Sequence, residues 1–397
     1  NENDDYTADA QSSAVVSPGN PLEADIEVAG DRDWARVTLE TGKVYLLDLL
    51  AAGAGDSSGT LSDSVLRVFD ANGTEVAFDD NTGAGKDSRI TFTPAVSGEY
   101  YIDVSGKTDA VGTYTLRVRE LYSGVADPLI GAQWYLDQLN IPEINGEYTG
   151  AGITVGVVDD GIDYAHPDLL ENLDLANSYD TQFDNNDGSP KYPYLFGEPD
   201  NHGTAIAGII AAVANNETGI VGTAQDAELA STRVKWSWED ITQAVAMQWQ
   251  FDVSNNSWGA ITPFEDNFNS TSMTFAWVGM RKGVELGRDG LGTVYVFSAG
   301  NSAGEGDNTN YHNFQNAREV ITVGSVDSND FASGFSTPGA NVLVAAYGEN
   351  IITTDRSQSG WGYNAGSDYV DNFQGSSASA AMVSGVVAMM LEANPDL

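Results

Sequence analysis

The chain has 397 residues, of which 41% are hydrophobic, so two globular domains with their own cores are the natural expectation. Its formal net charge of −41 disfavours nucleic-acid binding, which needs a basic face. The absence of cysteine excludes disulfides, thiol catalysis and cysteine-ligated zinc.

The acidic excess has three candidate explanations beyond an ordinary solvated surface, which accounts for most of it. They are solubility in salty or cold water, several calcium sites, and attraction of basic substrates. No run is long and apolar enough to predict a membrane span. The chain begins at Asn1 without a leader, and we expect a secreted protein whose signal peptide is already removed.

Residues 1–120 are predicted to form an all-β domain. Short alternating or apolar runs recur between turn signals, and the sequence Asp70-Ala71-Asn72-Gly73 is typical of a hairpin turn. This spacing favours a small β-sandwich. The predicted strands span residues 34–39, 44–49, 65–69, 89–93, 100–104 and 114–118.

Four motifs of this domain resemble the bacterial pre-peptidase C-terminal domain, a module that accompanies secreted peptidases. They are Asp31-Arg32-Asp33-Trp34, Asn72-Gly73-Thr74, Asp79-Asp80-Asn81 and Ser97-Gly98-Glu99-Tyr100-Tyr101. The module usually follows a catalytic domain, whereas here it comes first. Its acidic pair, Asp79 and Asp80, has two explanations: a contribution to calcium binding, or an ordinary solvated turn, which is the commoner case.

Residues 121–149 are punctuated by glycine and proline, and they are predicted to connect this domain to a second one at 150–397. In the second domain apolar strands alternate with helices, which predicts an α/β fold with a doubly wound parallel sheet. The predicted strands are 153–158, 229–234, 253–256, 293–298 and 320–326. The predicted helices are 203–214, 241–249, 272–286 and a final one after Gly375.

Four polar residues fall where such a fold places its chemistry, beyond strand ends or at helix starts. Asp159 ends a buried strand and needs a partner, His202 opens a helix, and Asn301 follows a strand. Ser377 lies behind Gly375 and before a run of tiny residues and an apolar helix. Each has an ordinary explanation alone, as a cap, a turn or a surface residue. Together they predict a nucleophile, a base, its orienting carboxylate and an oxyanion donor.

The order Asp, His, Asn, Ser resembles that of the subtilisin-like serine peptidases over about residues 125–397. The matching motifs are Val157-Val158-Asp159-Asp160-Gly161-Ile162-Asp163, His202-Gly203-Thr204 with Ala207-Gly208, Ser298-Ala299-Gly300-Asn301 and Gly375-Ser376-Ser377. The resemblance implies that Ser377 is the nucleophile, His202 the general base, Asp159 its orienting group and Asn301 the oxyanion donor. Ala381 departs from the proline that is frequent in the family, and we expect this to alter geometry only slightly.

Further motifs resemble the kexin and furin branch of that family, including its secreted bacterial members. They are Asp127-Pro128-Leu129, Gln133-Trp134-Tyr135-Leu136, Asp159-Asp160, Asn256-Ser257-Trp258-Gly259, Val294-Tyr295-Val296-Phe297 and Gly306-Asp307-Asn308-Thr309-Asn310-Tyr311. This branch cleaves after paired basic residues. The resemblance implies a substrate-binding role for Ser257, Trp258 and Gly259.

The same resemblance implies acidic substrate pockets, with one departure. Asp160 and Asp200 match acids of the S2 pocket, and Glu239, Glu265 and Asp266 are weaker matches for S4. In the S1 pocket, His312 stands where an aspartate is expected, and Thr262 and Thr337 replace acids of the calcium site beneath, of which only Asp307 remains. This replacement weakens the expectation of arginine selection at P1, the residue before the scissile bond.

The resemblance also implies bound calcium as the cofactor. The first expected site uses the side chains of Asp127, Asp168 and Asn216 with the carbonyls of Val213, Thr218 and Ile220, all oxygen ligands of the type calcium prefers. A second candidate site consists of Asp180, Asp184 and Asp187, for which an acidic surface loop is an equally good explanation.

Two alternative functions remain open at this stage. One is a broad-specificity subtilisin that degrades environmental protein, which the replacement at His312 favours. The other is a binding module on an inert peptidase fold, against which the intact set Asp159, His202, Asn301 and Ser377 argues. Expected partners are protein or peptide substrates, an inhibitory pro-segment or chaperone, and a downstream P domain, with no nucleic acid and no membrane span.

Overall fold

The computed structural model describes residue 6 and residues 12–18, 20–52, 59–80, 86–121, 126–145, 147–191, 199–271, 273–357, 361–364 and 366–397. Two compact units divide the chain, Asn1–Gly124 and Val125–Leu397. Residues 122–125 and 146 of the predicted connector lie outside the described residues, as does Ser272 of a predicted helix.

The N-terminal unit is all β, which confirms the predicted class. Its two sheets have the orders β1-β3-β8-β5-β6 and β2-β9-β4-β7, and their inner faces share one apolar core. Along β3, residues 33, 35, 37 and 39 are buried in strict alternation, as a half-buried strand requires. The strands are β1 Ala14–Val15, β2 Leu22–Ile26, β3 Arg32–Leu39, β4 Val44–Leu50, β5 Ser64–Phe69, β6 Glu75–Asp79, β7 Arg89–Phe92, β8 Gly98–Gly106 and β9 Gly112–Leu121.

The acidic pair of this unit has protein partners. Asp79 accepts a hydrogen bond from the backbone N–H of Arg89 at 3.0 Å, and Asp80 forms an ion pair with Lys107 at 2.6 Å. Each of the two carboxylates therefore has a partner within this unit.

The C-terminal unit contains the predicted parallel sheet, with seven strands in the order β11-β12-β10-β13-β14-β15-β16. Every pairing in this sheet is parallel. The chain moves from β10 to one side and then crosses to the other, so the switch point adjoins β10. The strands are β10 Thr154–Asp159, β11 Tyr179–Asp180, β12 Glu228–Arg233, β13 Val253–Asn256, β14 Val294–Ser298, β15 Val320–Val326 and β16 Val342–Tyr347; a separate antiparallel pair is β17 Ile351–Thr354 and β18 Tyr369–Phe373.

Helices cover both faces of this sheet. The helices are α1 Trp134–Gln138, α2 Ile141–Ile144, α3 His202–Ala211, α4 Trp238–Met247, α5 Thr274–Leu286 and α6 Ser376–Ala393. Val157 packs in the core that holds α3 and α6, whereas its neighbour Val158 packs in the core that holds α4 and α5. This period of two explains why both of these neighbouring positions of β10 are apolar. Among the described residues, α6 is the one helix with the length and hydropathy of a membrane span, and 67% of it is buried within this unit.

Candidate active site

The four predicted residues come together at the carboxyl edge of the parallel sheet. Asp159 is the last residue of β10, and Asn301 follows β14. His202 is the first residue of α3, and Ser377 is the second residue of α6. Rigid elements therefore carry three of the four side chains, which keeps their separations nearly constant.

Asp159 holds the imidazole of His202. The Nδ1 atom of His202 lies 2.9 and 3.0 Å from the two carboxylate oxygens, and Asp159 is 1% exposed. Because a carboxylate only accepts hydrogen bonds, Nδ1 carries the proton, and Nε2 of the neutral ring keeps its lone pair. Burial lowers the pKa of His202, but the Asp159 carboxylate outweighs it and raises this pKa to about 9.

Asp160 caps the helix that His202 begins. One carboxylate oxygen accepts the backbone N–H groups of Asn201 and His202, both at 3.0 Å, and the other accepts that of Gly203 at 2.7 Å. Burial and the adjacent Asp159 charge raise the pKa of Asp160 to about 7. The Asp160 carboxylate, which was expected in the S2 pocket, thus accepts hydrogen bonds from the protein's own backbone.

The hydroxyl of Ser377 lies at the N-terminus of α6. Its Oγ donates to the carbonyl of Ser257 at 3.0 Å, and Ser257 Oγ donates back to the Ser377 carbonyl at 3.0 Å. Within the described part of the chain, no hydrogen bond joins Ser377 Oγ to His202. The hydroxyl must therefore turn from Ser257 toward Nε2 before it can lose its proton. The Ser377 N–H is one of the first in α6, where an intrahelical acceptor is missing.

Asn301 is oriented by Ser376, the neighbour of the predicted nucleophile. Its Oδ1 accepts the Ser376 N–H at 2.9 Å and lies 3.0 Å from Ser376 Oγ. The amide nitrogen Nδ2 is therefore the end that faces away, and no described residue accepts from it. A Cβ at Gly375, whose φ is 134°, would lie 3.1 Å from Nδ2. Glycine thus leaves space for a substrate atom beside this donor.

The C-terminal unit matches a known protein family. Residues 150–397 match the description "Subtilase family", which is more than half of the chain. The chain belongs to the subtilase family. Residues 31–106 match the bacterial pre-peptidase C-terminal domain, in agreement with the all-β unit.

Curated relatives of this subtilase include members of the furin and kexin group. Furin-1 of Xenopus laevis is 31% identical over 299 residues, which are 70% of this chain and 36% of Furin-1. Kexin of Saccharomyces cerevisiae is 34% identical over 292 residues, which are 69% of this chain and 34% of kexin. The chain thus spans about a third of the length of these relatives.

A solved relative shows the same fold. A crystal structure described as the Aeromonas sobria serine protease in complex with the chaperone ORF2 aligns with a TM-score of 0.60. The alignment has 24% sequence identity and covers 68% of this chain and 55% of that one.

Asp200 of this subtilase forms an ion pair with a buried arginine. The Arg233 guanidinium lies 2.7 Å from Asp200 and 3.0 Å from Asp180, and its side chain is 6% exposed. Asp200, which the resemblance matches to an acid of the S2 pocket, therefore already has a cationic partner within the protein. Arg233 ends β12, and the sequence held no local signal for its pairing.

His312 is paired with acids of its own chain as well. Its Nε2 donates to Asp307 at 2.9 Å, and it is 3% exposed. Asp266 is fully buried and accepts the Phe314 N–H at 2.9 Å. It therefore does not line an open S4 pocket, contrary to the expectation from the sequence. Glu265 accepts from the indole N–H of Trp238 at 3.3 Å.

The segment Ser257–Gly259 lies beside Ser377, to which Ser257 is hydrogen-bonded. Trp258 is 7% exposed and packs edge-on against Phe297 and Phe314 at 5.3 and 5.0 Å, which anchors the segment. Gly259 is exposed and has no side chain to obstruct an extended peptide.

Three residues around the site were not predicted from the sequence. The Phe373 ring lies 5.6 Å from the imidazole, and Tyr363 packs against Phe373 at 5.7 Å. Ser376, which orients Asn301, stands next to Ser377 in the same motif. The adjacency of Ser376 could have been used, but the two aromatic residues have no spacing signal because long-range folding places them.

The first expected calcium site brings its side chains together. Asp127 is 2% exposed and accepts the N–H groups of Asn215 and Asn216; Asp168 is fully buried and accepts from Asn216 Nδ2 and the Ile220 N–H. Burial, with a contribution from Asp127, raises the pKa of Asp168 to about 6. Among the described ion pairs, neither carboxylate has a cationic partner. Two buried carboxylates without a cationic partner, both in contact with Asn216, are oxygen donors of the type that a hard divalent cation prefers.

The second expected calcium site is wrong as a metal cluster. Asp180 pairs with Arg233 at 3.0 Å, Asp187 pairs with Lys191 at 2.7 Å, and Asp184 accepts from the Tyr179 hydroxyl. Each carboxylate therefore has its own partner. Among the residues that the structure describes, no group of three or more acidic or histidine side chains is placed to hold a metal.

Proposed function

We propose that this subtilase is a serine endopeptidase with Ser377, His202 and Asp159 as its triad. The observation that carries the proposal is the buried Asp159–His202 contact at 2.9 Å, at the sheet edge from which α6 presents Ser377. A binding module without activity would not need a desolvated carboxylate fixing one imidazole tautomer.

The reaction that this geometry supports is acyl transfer. Ser377 Oγ attacks the peptide carbonyl carbon while His202 Nε2 takes its proton. The carbonyl oxygen becomes an oxyanion, which Asn301 Nδ2 and the Ser377 N–H stabilise. Collapse of this intermediate breaks the C–N bond, and His202 gives its proton to the leaving amine. Water then attacks the acyl-enzyme with the same base and releases the acid.

Kexin-like preference for basic residues is one candidate specificity, supported by the furin and kexin relatives. Broad specificity is the second candidate, and one feature favours it. Asp200 is paired with Arg233, His312 with Asp307, and Asp160 with backbone N–H groups, so each of these groups already has a partner within the protein. Since a buried cation needs a paired acid, selection for paired basic residues should be weak.

Calcium is proposed as a structural ion. Asp127, Asp168 and Asn216, with the carbonyls of Val213, Thr218 and Ile220, would hold it and gain neutralisation of their buried charge. The ion would supply stability to the loop between α3 and β12.

The remaining assignments are also proposals. We assign residues 1–120 to a pre-peptidase C-terminal type domain, 121–149 to a connector and 150–397 to the catalytic domain. The domain combination supports secretion. A chaperone partner is supported by the Aeromonas sobria structure, whose description names one.

The decisive experiment compares the wild type with Ser377→Ala. We expect wild-type cleavage of casein and covalent labelling by a fluorophosphonate, both absent from the variant. Ser384→Ala, a buried serine on the same helix that donates to Asn255, is the matched control and should keep both signals. Full activity in Ser377→Ala would refute the proposal.

A fluorogenic peptide library varied at P1 and P2 decides between the two specificities. Broad specificity predicts that kcat/KM for apolar and dibasic peptides differs by less than about tenfold, the scale of one free-energy step of 1.4 kcal/mol. A preference for dibasic peptides above about a hundredfold would establish the kexin-like alternative.

A further inference from the structure

Two adjacent carboxylates hold His202 at two different points. Asp159 binds the imidazole through Nδ1 at 2.9 Å, while Asp160 binds the backbone N–H of the same residue at 3.0 Å. Asp160 also accepts the backbone N–H groups of Asn201 at 3.0 Å and Gly203 at 2.7 Å. The ring and the main chain of His202 are thus tied to consecutive residues at the end of β10.

This contact does for α3 what a helix N-cap normally does. The first N–H groups of a helix lack intrahelical acceptors and carry the positive end of its dipole. The N-cap residue Asn201 makes no side-chain cap bond, so the carboxylate of Asp160, immediately after β10, supplies the acceptors for this ten-residue helix. Gly203 permits the approach, because a Cβ there would meet Gly161 O at 2.5 Å and Asp160 Oδ1 at 3.1 Å.

The charges that face Asp160 come from three elements. Burial and the Asp159 carboxylate on its own strand raise its pKa, His202 and the Gly203 N–H on α3 lower it, and Asp200 raises it slightly. Asp200 is itself paired with Arg233 from β12. Asp160 in turn favours the charged form of His202, after the stronger effect of Asp159.

We propose that Asp160 is a positioning residue for His202: it fixes the main chain from which the imidazole reaches Asp159, and it places a second carboxylate at the same residue. The inference rests on the proposed serine peptidase function. It differs from the S2 role expected from the sequence, because the carboxylate acts through His202 and not through the substrate.

The test uses the whole chain and the variant Asp160→Asn, which keeps the shape but turns one acceptor into a donor facing N–H groups. Two fluorogenic peptides that differ only in Lys or Ala at P2 are the substrates. Ser237→Ala is the matched control, because it removes a side-chain cap from α4.

We expect kcat of Asp160→Asn to fall on the order of 10- to 100-fold for both peptides, as small misplacements of a base do, with KM unchanged. The acid limb of kcat/KM should move to lower pH, because one negative charge beside His202 is gone. Ser237→Ala should change neither quantity, although both variants lose a helix cap.

Three outcomes would overturn the inference. They are a loss confined to the Lys peptide, unchanged rates, and an unmoved acid limb. If Asp160→Asn does not fold, Asp160→Glu is tested in its place. Its carboxylate is displaced by one methylene and cannot accept from all three N–H groups. A wild-type kcat in Asp160→Glu would also overturn the inference. Failure of the proposed function looks different, because the wild type would then cleave neither peptide.

Discussion

Removing the hydroxyl of Ser376 should weaken the oxyanion site without touching the nucleophile. In the structure, Asn301 Oδ1 accepts the Ser376 N–H at 2.9 Å and lies 3.0 Å from Ser376 Oγ. Oγ also accepts the Gly300 N–H at 3.0 Å. Ser376→Ala deletes the hydroxyl contacts but leaves the backbone anchor, so the amide keeps its mean direction and loses part of its restraint.

The expected size follows from the number of bonds lost. One neutral hydrogen bond contributes about 0.5–1.5 kcal/mol, which corresponds to a roughly 2- to 13-fold fall in kcat if all of it is felt in the transition state. Removing the donor itself with Asn301→Ala should lower kcat on the order of 10²–10³, the loss known for the corresponding donor of subtilisin itself. The losses in kcat of the two variants therefore differ by at least about eightfold.

Steady-state kinetics on one peptide substrate measures both effects, with thermal unfolding as a check of folding. Ser379→Ala is the control, since this buried serine of α6 has no hydrogen-bond partner among the described residues. Its kcat should equal that of the wild type. The reasoning is refuted if Ser376→Ala is as active as Ser379→Ala, or if it falls as far as Asn301→Ala.

Three further predictions concern pH, charge burial and calcium. Since the pKa of His202 is raised to about 9 and only the neutral ring accepts a proton, kcat/KM should rise with pH between 7 and 9; a flat profile there would contradict this. Arg233→Met leaves two carboxylates without their cation and should destabilise the fold by about 3–5 kcal/mol, measured as a Tm on the order of 10 °C lower. The control Arg281→Met removes an exposed ion pair and should change the Tm little. Equal Tm values for the two variants would contradict this prediction. Chelation should lower the Tm of the wild type but not of Asp168→Asn, and an unchanged wild-type Tm would argue against the calcium site.

Short-range patterns of apolar residues predicted the main strands of both units. The continuous apolar run at 153–158 predicted a strand buried on both faces, and β10 has Val157 and Val158 in different cores. Alternation at 34–39 likewise predicted a half-buried strand, as found in β3. Such patterns depend on side chains a few positions apart, which the sequence states directly.

The two candidate calcium sites differ in whether a cationic side chain contacts their carboxylates. Asp127 and Asp168 both contact Asn216, and the calcium site that the resemblance implied there stays a proposal. Asp180 has the same residue type and a similar local density of acids, but Arg233, 53 positions later, reaches its carboxylate. Acidic spacing alone could not separate these cases, because the partner belongs to a distant strand.

The sequence by itself determined the strand–helix alternation, the order of the motifs and the candidates Asp159, His202, Asn301 and Ser377, because these depend on residue type and local spacing. Only the tertiary structure decided which carboxylates remain free. Asp160 caps α3 across 42 positions to His202, and Asp200 pairs with Arg233 across 33. A buried charge takes the nearest donor in space, and that donor is fixed by how the strands pair and where the helices begin.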